Sequence, residues 1–166
     1  MSLKKILFVC LGNICRSPAA EGVMRRMVDD AGLEDRVVVD SAGIGSWHVG
    51  EQPDRRMCRH AMNRGYDLNE LRARQFKSED FHRFDYIVVM DEENYHDVMQ
   101  RMPSDADYSS KVLRMKDYLH RYNGHTSVPD PYYGGAEGFE LALDLIEDGC
   151  RGLLDSLADE IERKTT

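Results

Sequence analysis

Cys10 and Arg16 stand six positions apart in the segment Val9-Cys10-Leu11-Gly12-Asn13-Ile14-Cys15-Arg16-Ser17-Pro18. A cysteine thiolate can attack phosphorus, and a guanidinium presents a planar fork that fits two phosphoryl oxygens. The chemistry these types suggest is transfer of a phosphoryl group to sulfur. Spacing alone is weak support, because Cys58 and Arg64 repeat it. That second pair lies inside a helical pattern with no strand before it, and it reads as a core cysteine and a surface arginine.

The elements around Cys10 carry the argument further. The apolar run Ile6-Leu7-Phe8-Val9 is too short for a helix and reads as a buried strand. Gly12 breaks it, and Ser17-Pro18 reads as the N-cap and first position of a helix that Gly32 ends. A helix N-terminus leaves backbone N–H groups unpaired and carries partial positive charge. A tight loop there aims several N–H groups at one anion, and the same field favours the thiolate of Cys10.

Further along, Val37-Val38-Val39 reads as a second strand and residues 41–53 as a loop. Arg55 to Arg64 reads as a helix stopped by Gly65. Tyr86 to Met90 is a buried strand, and Asp91 reads as the cap of a helix ending before Pro103. Lys111 to Met115 is a weaker fourth strand, and residues 116–136 form a long loop. In the last helix Phe139, Leu143, Ile146, Cys150, Leu153, Leu157 and Ile161 make one apolar stripe. Strands alternating with helices predict a single α/β domain over residues 1–166. Its open parallel sheet is covered on both faces, and its site lies at the carboxyl ends of the strands.

The chain has 166 residues and a formal net charge of −8, of which residues 137–166 contribute −6 (nine acidic, three basic). Such a balance argues against nucleic acid or an anionic membrane as partner. Four cysteines are too few for a disulfide scaffold. No signal peptide, lipidation pattern or membrane-spanning run is evident, so a cytoplasmic protein is expected. Neither of the glycine-rich nucleotide loops occurs, nor C-x-x-C, and no metal or other cofactor is expected. The six histidines are scattered and read as structural.

The segment 9–18 and Asp130-Pro131-Tyr132-Tyr133-Gly134 together resemble the active-site and acid-loop signatures of the low-molecular-weight protein-tyrosine phosphatases. Asp40 to Gly43, Ala73-Arg74-Gln75 and Asp85 to Asp91 are similar in the same order, so the resemblance spans essentially the whole chain. It implies a four-stranded parallel sheet with the phosphate loop after the first strand. Cys10 is then the nucleophile, Arg16 the phosphate ligand and Asp130 the general acid and base, acting on a phosphotyrosine protein without metal. Leu11, Gly12, Asn13, Ile14, Cys15 and Ser17 form the binding loop, with Ser17 on the thiolate and Asn13 supported by Ser41. From the residues alone, Asp130-Pro131 is equally a turn start, Asp91 a competing carboxylate or a cap, and Trp47 a core residue or a pocket wall. The resemblance puts Trp47, Tyr132 and Tyr133 at the pocket mouth. It also makes Cys15 a partner that traps oxidised Cys10 as a disulfide.

Two features bear on neighbouring activities. The protein-arginine phosphatases that resemble this loop typically carry Thr where this chain has Ile14; a branched apolar residue suits an aryl phosphate and crowds a guanidinium phosphate. An arsenate reductase on the same scaffold needs resolving thiols, and the 75–95 region has none. A non-catalytic phosphate-binding module would be favoured by loss of Cys10, Arg16 or Asp130, and all three are present. One departure is Leu71, where family members often carry a His bonded to the loop asparagine. It leaves Asn13 to Ser41 and water, or shifts the alignment by one residue.

Overall fold

In the computed structural model, which describes residues 3–165, four parallel strands form one sheet. They are β1 (Lys4–Cys10), β2 (Val37–Gly43), β3 (Tyr86–Val89) and β4 (Val112–Arg114). Their order is β2-β1-β3-β4, so the chain leaves β1 to one side and later returns to its other side. Cys10 therefore ends the strand at which the order reverses, where open α/β sheets hold ligands.

Successive β1 side chains point to opposite faces and both faces are covered from Ile6 onward, which is why Ile6 to Val9 are all apolar while Lys4 and Lys5 stand at the open end of the strand. Ile6 and Phe8 enter a core built with Val88 and with α1 (Arg16–Asp30), α2 (Arg55–Asn63) and α5 (Ala136–Thr165). Leu7 and Val9 enter a second core with Ile87, Val89, Phe76, Phe81 and Val98. Phe81 lies on the short α3 (Asp80–Arg83) and Val98 on α4 (Glu92–Gln100). All seven residues of the expected α5 stripe are buried. Among the described residues no helix is long and apolar enough to cross a membrane.

Several local expectations change. Helix α1 begins at Arg16 with Cys15 at the N-cap, not at Ser17, because the Ser17 hydroxyl is engaged elsewhere. Ser41 to Gly43, expected as loop, continue β2 by pairing with Phe8 to Cys10. The 116–136 segment is not all loop: Met115–Tyr118 is a 3₁₀ turn, and α5 opens at Ala136. Arg64 is not a plain surface residue; it bonds Glu140 and Glu147 of α5.

The segment after that turn is pinned to α5 by one carboxylate. Asp148 accepts the backbone N–H groups of His120, Arg121 and Tyr122 at 2.9, 3.2 and 2.9 Å. Burial pushes the Asp148 carboxyl up, but the three N–H bonds outweigh it and hold the group below its usual range. Gly152 allows the approach, since a Cβ there would meet the Tyr118 carbonyl oxygen at 2.2 Å.

Candidate active site

Residues 11–15 turn tightly between β1 and α1, and Asn13 sets the turn. It is the one non-glycine residue with positive φ (57°) among those described. Asparagine tolerates this conformation because its short amide can bond locally. Here the amide is fully used: Nδ2 donates to Ser17 Oγ (2.7 Å) and Ser41 Oγ (3.0 Å), and Oδ1 accepts from the Arg74 N–H (3.0 Å). The backbone N–H of Arg74 thus supplies the partner for the Asn13 amide oxygen. Leu71 instead packs against the main core.

The turn is supported from below. Gly43 ends β2 directly beneath it, and a Cβ there would lie 2.8 Å from the Gly12 carbonyl carbon. Ser41 Oγ donates to Glu21 Oε1 (2.6 Å), which leaves an oxygen lone pair for Asn13. Burial raises the Glu21 carboxyl above its ordinary range, and the bond from Ser41 opposes that shift. Neither Asn13 nor Ser17 lines the cavity; both brace the loop from behind.

Above the turn lies a cavity of about 400 Å³. Cys10, Cys15 and Arg16, all buried, line its inner part, with Leu11, Gly12 and Ile14 beside them. The Cys10 sulfur is 3.1 Å from Ser17 Oγ and accepts the Ser17 N–H at 3.4 Å. Ser17 Oγ already accepts from Asn13, so its single proton is free for the sulfur or for the Ala42 carbonyl at 3.3 Å. Burial raises the Cys15 thiol strongly, reinforced by Asp54 and Cys10, so Cys15 remains a neutral thiol.

Arg16 is 2% exposed and carries the site's positive charge. Burial works against that charge, but Cys10, Asp91 and Asp130 outweigh it and raise its pKa. Its Nη1 donates to Asp91 Oδ2 (2.6 Å) and to the Val128 carbonyl (3.1 Å). Asp91 does cap α4, through the Asn94 N–H, while its other oxygen takes Arg16. The remaining edge of the guanidinium is left over: Nη2 lies 3.6 Å from Asp130 Oδ2, and the buried Nε has no protein partner. A buried unpaired donor is costly, and a phosphoryl oxygen is the kind of acceptor that relieves it.

Asp130 also lines the cavity and accepts the Tyr132 N–H on Oδ1 (3.1 Å), which is the turn reading of Asp-Pro. The turn and the cavity placement coexist. Trp47 is 69% exposed, not core, and lines the mouth with Tyr132 and the 92% exposed Tyr133. Trp47 covers Gly45, whose added Cβ would stand 1.8 Å from the ring. His48, read from sequence as structural, lines the mouth too and pairs with Glu51. Its ring packs against Gly12 and sits 6.4 Å from Tyr132.

A family model described as low molecular weight phosphotyrosine protein phosphatase matches residues 5–164. A Synechocystis protein named after the same family is 52% identical over 157 residues, covering 95% of this chain and 98% of its own. A low molecular weight protein-tyrosine-phosphatase of Streptomyces coelicolor is 42% identical over 159 residues, covering 95% and 96%. Among solved structures, a protein tyrosine phosphatase of Entamoeba histolytica with Hepes in its active site is 43% identical. It has a TM-score of 0.90, over 95% of this chain and 98% of that one.

Proposed function

The chain belongs to the low molecular weight phosphotyrosine protein phosphatase family, and from that premise we propose how its own residues hydrolyse phosphotyrosine. One observation supports the reading above others: a buried thiol, a buried guanidinium whose Nε has no protein partner, and a carboxyl line one cavity with an aromatic mouth. The phosphoryl group sits over the loop N–H groups with two oxygens on Nε and Nη2 of Arg16. Asp91 and Val128 hold the opposite side of the guanidinium, so that edge needs no reorganisation.

The Cys10 thiolate attacks phosphorus as the bond to the phenolic oxygen breaks, and Asp130 in its acid form gives that oxygen its proton. The product alcohol is tyrosine, and the enzyme carries phosphocysteine. Asp130, now a carboxylate, takes a proton from water, whose oxygen attacks phosphorus. The S–P bond breaks, inorganic phosphate leaves, and Ser17 donates to the returning thiolate. Arg16 and the loop N–H groups meet the charge on the transferring group, so no step calls for a metal. In this reading residues 1–166 act as one phosphatase domain on phosphoproteins, and the compartment that fits its free cysteines is the cytoplasm.

The rim rings of Trp47 and Tyr132 flank an aryl group, and Ile14 crowds a guanidinium. A phosphotyrosine peptide should therefore be hydrolysed about two- to tenfold faster than a phosphoserine peptide, the scale of one aromatic contact. It should also exceed a phosphoarginine peptide, and EDTA should leave the rate unchanged. Equal rates on the three peptides, or loss of activity in chelator, would reject the assignment.

Cys15 takes a redox role in this reading. Peroxide oxidises the Cys10 thiolate to a sulfenic acid; the Cys15 sulfur attacks it, an S–S bond forms and water leaves. Oxidation of Cys10 also removes one of the charges that raise the Cys15 thiol. Peptide mapping after mild peroxide should find a Cys10–Cys15 link, with activity restored by dithiothreitol. Irreversible inactivation without that link counts against the role.

A further inference from the structure

The loop carrying Asp130 is held from outside. Tyr132 is 37% exposed and Tyr133 92%, and the bond from the Gly134 N–H to the Pro131 carbonyl is internal to the loop. The Tyr132 peptide does two jobs. Its N–H reaches the Asp130 carboxylate, and its carbonyl accepts from Arg56 Nη2 at 2.9 Å. Arg56 belongs to the first turn of α2, and its guanidinium lies 5.5 Å from the Tyr132 ring centroid and 4.8 Å from that of buried Phe139.

Arg56 is itself fixed. Asp54 Oδ1 accepts its Nε (3.2 Å) and Oδ2 its Nη2 (3.0 Å), a two-pronged pairing. The same carboxylate caps α2 by accepting the Arg56 and Met57 N–H groups. Burial pushes the Asp54 carboxyl up, but the bonds and charge of Arg56 outweigh it, so the group stays ionised. The Asp54 N–H in turn donates to the carbonyl of Ile14, in the loop of the nucleophile (2.8 Å). A continuous polar connection thus runs from Ile14 through Asp54, Arg56 and the Tyr132 peptide to Asp130.

We propose that Arg56, clamped by Asp54, is a positioning residue that sets where Asp130 stands relative to Cys10 and thereby controls proton delivery to the leaving group. The proposal rests on Asp130 being the general acid. Arg56 touches no substrate atom; it registers the acid loop against the phosphate loop. A displacement of about an ångström at a catalytic group is enough to slow a reaction substantially.

The test compares phenyl phosphate, whose phenolate leaves poorly without a proton, with 2,4-dinitrophenyl phosphate, whose leaving group needs none. Arg56→Met keeps the aliphatic stem against the rings and removes the fork. In kcat/KM, which reports the first step and not the shared hydrolysis of phosphocysteine, it should lose about tenfold more on phenyl phosphate than on the dinitrophenyl ester. Inhibition by inorganic phosphate should stay within about twofold, because Arg16 and the loop are untouched. Arg56→Lys, the milder variant, should show the same selectivity to a smaller degree, since one ammonium cannot serve Asp54 and Tyr132 as the fork does.

In an Asp130→Asn background, Arg56→Met should add no further leaving-group selectivity. Equal losses of kcat/KM on both esters, or unchanged selectivity in both Arg56 variants, overturn the proposal while leaving Asp130 as the acid. An Asp130→Asn enzyme with no selectivity of its own overturns the acid assignment, and the proposal with it.

Discussion

Cys10→Ser should abolish turnover of p-nitrophenyl phosphate, with a fall of roughly 10⁴-fold or more, the scale of removing an essential nucleophile. A serine hydroxyl is un-ionised at neutral pH and has no base beside it here. The groups bonded to the sulfur are the Ser17 hydroxyl and N–H, which can donate to a thiolate but cannot take a proton from an alcohol at neutral pH. The anion site should survive, because Arg16 and the loop N–H groups do not depend on the sulfur. Inorganic phosphate should therefore bind Cys10→Ser within about threefold of the parent. Residual turnover within a hundredfold of the parent would mean that another group attacks phosphorus. Loss of phosphate binding along with turnover would mean that the loop had collapsed, a stability effect separable by thermal unfolding.

The parts of this site legible in the sequence were those written in neighbouring residues. β1 announces itself because both its faces are buried, so every position from Ile6 to Val9 is apolar. The end of β2 does not, because Ser41, Ala42 and Gly43 are small or polar. They are strand only because Phe8, Val9 and Cys10 pair with them. The helix start is hidden for a related reason. Ser17 has the chemistry of an N-cap, but a hydroxyl between Asn13 and the Cys10 sulfur is not available to cap anything.

Partners distant in sequence leave no local trace. Asp91 looks like a helix cap and is one, yet its second oxygen holds Arg16 across 75 positions. Arg74 meets Asn13 through a backbone N–H, which no residue type encodes. Glu21 had a signal that could have exposed it: with Ser17, Met24 and Val28 it falls on one face of α1 at four- and three-residue steps, and that face is buried. A carboxylate there needs a donor, and Ser41 supplies one. His48, in contrast, sits in an irregular loop where no periodicity could mark it.

Arg16→Lys should cost about 10³-fold in kcat/KM although it keeps the charge, on the scale of losing a preorganised donor to a developing anion. The argument is one of geometry. Arg16 supplies Nη1 to Asp91 and Val128, while its other edge keeps Nε unpartnered and Nη2 only 3.6 Å from Asp130. A lysine ammonium is a single point with three rotatable donors on a flexible stem. It can lie against Asp91, whose carboxylate is fixed by the Asn94 N–H, or it can reach the phosphoryl group. It cannot hold two phosphoryl oxygens in plane while braced from behind. Both kcat and phosphate affinity should fall, with kcat falling further, because the spread of charge over the equatorial oxygens is greatest as the bond breaks. Stopped-flow rates of phosphocysteine formation and phosphate inhibition constants separate the two. A lysine enzyme within tenfold of the parent would show that net positive charge alone suffices at this position. The Asp91 brace would then have no part in the chemistry.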